Sequence, residues 1–555
     1  MRQGTAEAAL PAVVLDHAPG ATRPLYRQLY DQLREAILSG QLAAGTRLPA
    51  TRTLQATLGV ARTTVVNAFA QLLAEGYLEA KVGSGTYVAS TLPDHLLHAG
   101  RQGSPSHPPA VRRHLTHARR AGQEPVPAGD GIGAGGRAAS APGRGLSQRG
   151  TLLAGTPVFP RSSVPLPVGR PERLAFRPGL PAMDAFPWGT WATLAARRWR
   201  RPPAELVGYG EAAGYRPLRE AVAAYLGAAR AVRCDPQQVI VVAGSQQGLD
   251  LAARVLLDVG DPVWIEDPGY LGARGALLAA GAQLVPVPVD EQGLDVEAGR
   301  ARCPQARLAY VTPSHQYPLG MTMTLARRLA LLEWARQSGA WVLEDDYDSE
   351  YRYTGRPLAA LQGLDRHGRV IYLGTFSKVL FPALRLGYVV APPDLVAAFV
   401  AARALADRHS PSVDQAVLAD FIAEGHFVRH LRRMRLLYAE RQRALLEAAG
   451  HTVQGLLEVA PAPAGMHLVG RLPPGVSDSA AARRAAGRGL VTPPLSAYAL
   501  GPPRQSGLIL GYAAVPAPEH LPAMRRLGAA LRPLVAGTPT HVPVPAPRTS
   551  HAARG

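Results

Sequence analysis

The chain has 555 residues, and its 60 Lys and Arg against 41 Asp and Glu give a formal net charge of +19. The length predicts two or more domains, and the charge favours a polyanionic partner, with nucleic acid first, although a GC-rich genome would also produce an arginine excess. The two cysteines, Cys234 and Cys303, are too few for a disulfide framework or an unaided metal site. No apolar run is long enough to span a membrane, and residues 1–20 lack a signal-peptide pattern. We therefore expect a cytoplasmic protein without a metal site.

The N-terminal part of the chain predicts a small helical unit. Residues 1–20 show little pattern and are expected to be loose and disordered. In residues 21–90 the first helix is marked by Leu and Ile at helical spacing over 25–37, with Gly40 near its end.

Two more helices and a hairpin complete this unit. We expect a second helix from Thr51, whose hydroxyl can cap it, to Gly59, and a third over 62–75. The tight link between them is typical of a helix-turn-helix. Two short strands over 77–82 and 86–88 predict a hairpin wing.

The arrangement resembles the winged helix-turn-helix of the GntR regulator family. The motifs that carry the resemblance are Arg-Leu-Pro-x-x-Arg-x-Leu, Leu-Gly-Val-x-Arg-x-Thr-Val, Glu-Gly-Tyr-Leu and Gly-Ser-Gly-Thr. The resemblance implies that the third helix enters the major groove of double-stranded DNA and that the wing approaches the minor groove. The residues that it places on DNA are Arg47, Arg52, Arg62, Thr63, Thr64 and Gly85. For any single arginine, a solvated surface charge is the alternative.

The composition changes after residue 90. Residues 91–168 are rich in Gly, Pro, Ser, Arg and His, which predicts a basic linker that is mostly disordered. Residues 169–536 alternate apolar strands with helices, the pattern of an α/β domain. The Pro-rich stretch 537–555 is expected to be a disordered tail.

One lysine of the α/β domain is exceptional. Of the 60 basic Lys and Arg side chains, two are lysines, Lys81 and Lys378, so the chain uses arginine where a plain positive charge suffices. A lysine amine can lose its proton and attack a carbonyl, whereas arginine stays protonated. Lys378 is therefore a candidate for Schiff-base formation with an aldehyde cofactor, and an ordinary surface lysine is the alternative.

The residues around Lys378 resemble the lysine segment of fold-type I aminotransferases. Ser-Lys is followed by Pro-x-x-Arg-x-Gly-Tyr. The resemblance implies that Lys378 carries pyridoxal 5'-phosphate (PLP) as an internal aldimine and that Thr375, Ser377 and Arg385 hold the phosphate. Hydroxyl donors and a guanidinium fork suit a dianionic phosphate.

Further segments match the same family. The Gly-rich turn after the strand 239–242 opens a helix, whose N–H groups can bind an anion, and Ser245 and Gln246 resemble the family's phosphate cup. By resemblance, Tyr270 stacks on the pyridine ring, with a core tyrosine as the alternative. Tyr209 matches a tyrosine that reaches the phosphate of the partner subunit.

The strand over 341–347 ends in carboxylates. By resemblance, Asp345 keeps the pyridine nitrogen protonated and Tyr347 donates to the phenolic oxygen of the cofactor. Asp346 is the alternative to Asp345, because strand alternation sends only one of the pair inward. Solvated loop acids are the alternative to both roles.

Two positions depart from the family pattern. His-Gln-Tyr-Pro at 315–318 stands where aminotransferases have Asn-Pro, and which side chain replaces the asparagine is left open. In the strand 507–512, Ile509 stands where the family has the arginine that binds the substrate carboxylate. Arg504 or Arg274 could substitute from another direction. The missing guanidinium removes a bidentate clamp, which places transamination of α-amino acids in doubt and leaves PLP binding intact.

The two halves together resemble the MocR subfamily of GntR regulators. The fold class is then multidomain, an N-terminal winged helix-turn-helix (α+β) followed by an α/β fold-type I PLP-dependent transferase-like domain. The implied protein is a PLP-binding, DNA-binding transcriptional regulator that works as a nucleoid-associated homodimer and responds to PLP or to an amine or amino acid through the aldimine at Lys378. Its aminotransferase-like domain is expected to have no net turnover and at most residual transaminase activity. The alternatives are an active aminotransferase that also binds DNA, and a DNA-binding protein that uses a dead enzyme fold as a dimer scaffold.

Overall fold

The structure of the protein is a computed structural model that describes residues 13, 15, 25–74, 77–81, 85–89, 146–155, 175–354, 358–502 and 505–536. The expectations for the loose N-terminus, for most of the linker and for the tail fall on residues outside these ranges. The described residues form an N-terminal unit, one short helix and a large α/β unit.

The N-terminal unit is a three-helix bundle with a hairpin. Its elements are α1 Leu25–Leu38, α2 Thr51–Leu58, α3 Arg62–Ala74, β1 Leu78–Lys81 and β2 Gly85–Val88. The strands pair antiparallel. All three helices and the hairpin contribute to one buried apolar cluster, which includes Leu29, Leu33, Leu54, Val65, Leu72 and Val88. The predicted winged helix-turn-helix fold is confirmed.

The turn between α2 and α3 depends on a glycine. Gly59 adopts a left-handed conformation with φ 63° and closes α2, which a residue without Cβ does at no steric cost. The expectation that the Thr51 hydroxyl caps α2 is wrong. Thr51 is already the first helical residue, and the N-cap position belongs to Ala50, whose side chain has no oxygen to accept a hydrogen bond.

A short helix, α4 Gln148–Gly155, lies within the segment whose composition marks it as a linker. The backbone nitrogen of Gly150 donates to Ser147 Oγ at 3.0 Å. A hydroxyl at this place satisfies one of the free N–H groups at a helix start and so contributes to the stability of this short helix.

The large unit alternates helices and strands. Its helices are α5 Trp188–Arg200, α6 Ala204–Val207, α7 Arg216–Arg230, α8 Ser245–Leu256, α9 Leu271–Ala279, α10 Val296–Arg302, α11 Leu325–Ser338, α12 Leu361–Leu364, α13 Val396–Asp407, α14 Ser412–Ala423, α15 His426–Thr452, α16 Asp478–Ala486 and α17 His520–Ala536. Its strands are β3 Val239–Val242, β4 Pro262–Asp267, β5 Gln283–Asp290, β6 Gly293–Leu294, β7 Leu308–Val311, β8 Trp341–Asp346, β9 Val370–Thr375, β10 Gly387–Val390, β11 Glu458–Val459, β12 His467–Arg471 and β13 Gly507–Gly511.

Eight strands form one mixed sheet in the order β3-β10-β9-β8-β7-β4-β5-β6. The neighbours from β9 through β5 are parallel, and β10 is antiparallel to both β9 and β3. Strand β3 therefore runs in the same direction as the parallel group. The carboxyl ends of β3, β4, β7, β8 and β9 meet at one edge, the edge at which α/β sheets bind ligands.

Apolar side chains cover both faces of this sheet. Val241 packs with Leu218 of α7 in one cluster, and the neighbouring Ile240 packs with Leu251 of α8 in another, as alternation along a strand requires. Strands β11, β12 and β13 form a separate antiparallel sheet. The predicted α/β architecture is confirmed. None of the helices in the described part of the chain combines the length and the hydropathy needed to cross a membrane.

Candidate functional site

A cavity of about 400 Å³ lies at the carboxyl edge of the large sheet. Five of the predicted cofactor residues line it: Ser245, Tyr270, Asp345, Tyr347 and Lys378. Four further predicted residues lie in the same segments but are not part of the lining: Gln246, Thr375, Ser377 and Arg385. The topology thus brings together side chains that follow β3, β4, β8 and β9.

Lys378 follows β9 and places its amine in the cavity wall. Its Nζ donates to the carbonyl oxygen of Gly179 at 2.9 Å. Burial lowers the pKa of Lys378, while the carboxylates of Asp348 and Asp345 oppose this shift. A lowered pKa increases the neutral fraction of the amine, which is the form that attacks a carbonyl.

Asp345 and Asp346 face opposite sides of β8. Asp345 lines the cavity, where the Tyr310 hydroxyl donates to Oδ2 at 2.9 Å and Oδ1 has no hydrogen-bond partner among the described residues. Asp346 pairs with the buried Arg230 at 2.8 Å. Burial raises the pKa of Asp345 to about 7. Of the two carboxylates that the sequence left open, Asp345 is the one that lies in the cavity.

An arrangement suited to an anion lies at the start of α8. The N-cap residue Gly244 has φ 109°, and the Arg385 guanidinium lies 3.2 Å from the point where a Cβ would stand. Ser245 begins the helix, so its N–H belongs to the free donors of a helix N-terminus. Nearby in the lysine segment, Ser377 Oγ is buried without a partner among the described residues, and Thr375 Oγ1 accepts from the Ser377 nitrogen at 3.2 Å.

Tyr270 forms one wall of the cavity. Its hydroxyl donates to Gln246 Oε1 at 3.4 Å, and Gln246 Nε2 donates to the carbonyl oxygen of Gly272 at 2.9 Å. A Cβ on Gly272 would lie 2.4 Å from both Gln246 Oε1 and the Tyr270 ring. Glycine is therefore needed at residue 272 for this ring position. Stacking of Tyr270 on a cofactor stays a prediction.

Three side chains around Tyr347 were not predicted from the sequence. His315 Nδ1 lies 2.9 Å from the Tyr347 hydroxyl and 3.0 Å from Asp348 Oδ1. The ring of His467 lies 5.2 Å from that of His315, and burial lowers the pKa of His467 to about 3. His315 stands in the unusual His-Gln-Tyr-Pro stretch and Asp348 follows the carboxylate run, so both had a local signal. His467 comes from the other sheet and had none.

The stretch that replaces the family's Asn-Pro turns one side chain into the cavity. Gln316 is directed elsewhere, because its Nε2 donates to Glu266 Oε2 at 3.2 Å. Tyr317 lines the cavity, and its hydroxyl lies 3.2 Å from that of Tyr498. Tyr317 is thus the side chain of this stretch that occupies the cavity wall.

The position of the family's carboxylate-binding arginine is apolar. Ile509 of β13 is fully buried and packs with Tyr498. Of the two substitutes considered from the sequence, Arg504 lies outside the described residues and Arg274 does not line the cavity. Arg177, which no motif in the sequence singled out, does line it.

Tyr209 does not enter the cavity of its own chain. Its side chain is 83% exposed, and the Arg408 guanidinium lies 4.4 Å from its ring centroid. A contact between Tyr209 and the partner's phosphate stays a prediction.

The predicted DNA contacts of the helices are available at the surface. Arg62 and Thr63 are exposed at the start of α3, and Thr64 is half-buried. Arg52 is exposed on α2. Their contacts with DNA stay predictions.

Arg47 and Gly85 are placed against each other. The Arg47 guanidinium Nε lies 3.2 Å from the point where a Cβ of Gly85 would stand, and Gly85 has φ 112°. The backbone of Arg47 also pairs with Tyr87 of the wing. A glycine therefore lets Arg47 lie along the wing, and their roles on DNA stay predictions.

Two families match the chain. Residues 25–88 match "Bacterial regulatory proteins, gntR family", and residues 194–516 match "Aminotransferase class I and II". The "Probable rhizopine catabolism regulatory protein MocR" of Rhizobium meliloti is 44% identical over 91% of this chain and 92% of its own length. The "HTH-type pyridoxine biosynthesis transcriptional regulator PdxR" of Corynebacterium glutamicum is 30% identical over 91% of this chain and 94% of its own length.

A solved aminotransferase structure is similar in fold and sequence to the large unit. LysN, the α-aminoadipate aminotransferase from Thermus thermophilus complexed with N-(5'-phosphopyridoxyl)-L-leucine, is 35% identical with a TM-score of 0.61. The match covers 65% of this chain and 93% of that chain.

The residues in and around the cavity fit PLP, the cofactor that this fold implies. Lys378 offers the amine for the aldehyde, and Asp345 Oδ1, which has no partner among the described residues, offers an acceptor for the ring nitrogen. Gly244, Ser245 and Arg385 offer the donors that a phosphate requires. The expectation that the protein needs no metal stays a prediction.

Proposed function

The chain belongs to the MocR subfamily of GntR-family transcriptional regulators, and we propose that PLP held at Lys378 controls how a homodimer of this protein binds its DNA sites. It is a PLP-binding, DNA-binding transcriptional regulator. The proposal adds an effector response and a dimer to this description. A regulator of this kind works on the chromosome, so a cytoplasmic, nucleoid-associated location is part of the proposal.

The observation that carries the proposal is the amine of Lys378 in the wall of a cavity whose surrounding residues fit PLP. The chain contains one other lysine, Lys81, which lies in the wing. PLP supplies an aldehyde that condenses with amines and a ring that withdraws electrons. The chain supplies a lysine with a lowered pKa, a carboxyl group for the ring nitrogen, and a helix N-terminus for the phosphate.

The effector is proposed to be PLP itself or a primary amine that meets PLP in the cavity. Ile509, at the position where aminotransferases carry the arginine that binds the α-carboxylate, is a buried apolar side chain and offers no cation to that group. Arg177 is the arginine that lines the cavity in the described part of the chain, and we propose that it binds the acidic group of an amino-acid effector. The apolar residue at position 509 also supports a protein without net transaminase turnover.

The proposed response is a shift between conformations of a dimer. A ligand that binds one arrangement of the two winged helices more tightly shifts the population toward it. A two-fold dimer favours paired half-sites in the DNA. The strongly exposed Tyr209 supports a partner subunit at that surface.

Borohydride trapping tests the site. Wild-type protein and the Lys81→Ala variant, treated with PLP and borohydride, are expected to carry a stable PLP adduct on Lys378 by peptide mass spectrometry. Lys378→Ala is expected to carry none and to lack the visible absorption of lysine-bound PLP. An adduct on Lys81 alone, or none in the wild type, would overturn the proposal.

DNA binding tests the regulation. A promoter fragment retained by the wild type is titrated with and without PLP, and the same is done with Lys378→Ala. PLP is expected to change the apparent Kd of the wild type and to leave that of the variant unchanged. Equal responses of the two proteins would contradict a signal through Lys378. Multiple turnovers with an amine donor and a keto acid would instead establish the active aminotransferase.

A further inference from the structure

Behind Tyr347 lies a buried pair of polar side chains. His315 and Asp348 are 2% and 1% exposed. Both carboxylate oxygens of Asp348 lie close to His315 Nδ1, at 3.0 and 3.1 Å, and the Tyr347 hydroxyl lies 2.9 Å from the same nitrogen. One ring nitrogen therefore contacts a carboxylate and a hydroxyl together. Tyr347 in turn lines the cavity beside Lys378.

The chemistry of the three groups fixes the direction of the hydrogen bonds. An ionised carboxylate accepts hydrogen bonds only, so the His315 Nδ1 atom that contacts Asp348 must carry a proton. A ring nitrogen that carries a proton has no lone pair in the plane of the imidazole, so it cannot accept a hydrogen bond from the Tyr347 hydroxyl. The Tyr347 oxygen therefore accepts from His315, and its own proton is left to point elsewhere.

We propose that His315 and Asp348 are positioning residues that hold Tyr347 as a hydrogen-bond donor toward an oxygen of the ligand in the cavity. The inference rests on the proposed function, because the ligand oxygen that Tyr347 meets is the phenolic oxygen of PLP. The buried carboxylate selects the His315 tautomer, and the tautomer selects the direction of the Tyr347 hydroxyl. Burial also raises the pKa of Tyr347 well above its ordinary value, so the hydroxyl keeps the proton that it donates.

Space and surroundings support a fixed ring at residue 315. A Cβ on Gly465 would lie 2.0 Å from His315 Cε1, so the glycine makes room for the imidazole. The ring of His467 packs 5.2 Å away. The titratable or charged groups that act on Tyr347 and Lys378 from the neighbouring elements are Asp348, Tyr317, Asp345, Glu266 and Arg385.

The test is a pH titration of the visible absorption of the PLP-loaded protein. This absorption reports the proton shared by the phenolic oxygen of the cofactor and the lysine nitrogen. A donor to the phenolic oxygen stabilises its ionised form and lowers the affinity of the site for that proton. Tyr347→Phe is therefore expected to raise the titration midpoint by about one pH unit, the scale of one hydrogen bond to a charged group.

Variants of His315 separate positioning from packing. His315→Gln and His315→Phe remove the donor at Nδ1 and are expected to raise the midpoint in the same direction as Tyr347→Phe, by up to about one pH unit. His315→Asn places an amide donor near the position of Nδ1 and is expected to keep the wild-type midpoint. The double variant Tyr347→Phe/His315→Phe is expected to match Tyr347→Phe alone, because His315 acts through Tyr347.

The outcomes are distinct. Absence of the visible band in the wild type with PLP would overturn the proposed function itself. A normal band with an unchanged midpoint in His315→Gln and His315→Phe would overturn the positioning role alone, as would shifts that add in the double variant. The melting temperature of each variant is measured together with the titration. Both His315→Gln and His315→Phe are made, so that the test still works if one of them does not fold. A purely structural role would lower the melting temperature and leave the midpoint unchanged.

Discussion

The buried ion pair behind β8 offers a quantitative test of the large unit. Arg230 of α7 is 4% exposed. Its Nε and Nη2 atoms contact Asp346 Oδ2 at 2.9 and 2.8 Å, and its Nη2 donates to Ser314 Oγ at 2.6 Å. Tyr372 donates to the same carboxylate oxygen at 2.6 Å. The pair joins α7 to the strand that carries Asp345.

Replacing Arg230 by Met is expected to lower the free energy of unfolding by about 3–5 kcal/mol, because it leaves the Asp346 carboxylate buried without the cation that pairs with it. Adding Asp346→Asn to this variant removes the charge and is expected to recover about 1–3 kcal/mol. The assay is urea denaturation of the cofactor-free protein, followed by tryptophan fluorescence.

A matched control lies on the same helix. Arg216 pairs with Glu220 at 2.9 Å, and its side chain is 77% exposed. Arg216→Met is expected to change the free energy of unfolding by less than about 1 kcal/mol, as exposed pairs do. If Arg230→Met cost no more than Arg216→Met, or if the double variant were no more stable than Arg230→Met, the reasoning from burial would be refuted.

Three further predictions concern pH, DNA and packing. In the folded state the pKa of Asp345 is about 7, against an ordinary value of 3.8. The free energy of unfolding of the cofactor-free protein, measured by urea denaturation, should therefore fall as the pH rises from about 4 to about 7. Asp345→Asn should reduce that fall. Arg62→Ala should weaken DNA binding and reduce the slope of log K against log salt by about 1 in titrations over several salt concentrations. Gly272→Ala should weaken PLP binding by about 1–3 kcal/mol in absorbance titrations, because the new methyl group would overlap the Tyr270 ring.

Controls accompany these variants. A pH slope in Asp345→Asn equal to that of the wild type would contradict the raised pKa. Arg484→Ala, at an exposed position of α16 in the large unit, should leave the salt slope of DNA binding unchanged, and an equal loss in both variants would argue for a general charge effect. Gly450→Ala, in α15, where the new Cβ would have no atom within 4 Å from the described residues beyond its chain neighbours and its own helix backbone, should leave PLP binding unchanged. PLP binding by Gly272→Ala at wild-type affinity would show that the ring is free to move.

Local signals along the chain predicted the fold class, the two main units and the lysine. Helical spacing, a short turn at Gly59 and a hairpin are properties of neighbouring residues, and they predicted the winged helix with small errors such as the cap at Thr51. Lys378 was found because an amine does chemistry that a guanidinium cannot.

Only the tertiary structure decided which side chains share the cavity. Alternation along β8 required that one of Asp345 and Asp346 face inward, but the choice depended on Arg230, which packs from a distant helix. His467 reaches the cavity from a second sheet, and no sequence pattern around it predicted that it lines the cavity. Periodicity along a chain reports what each segment can bury, whereas a site is made where segments far apart in sequence meet, and that meeting is set by the packing of the whole unit.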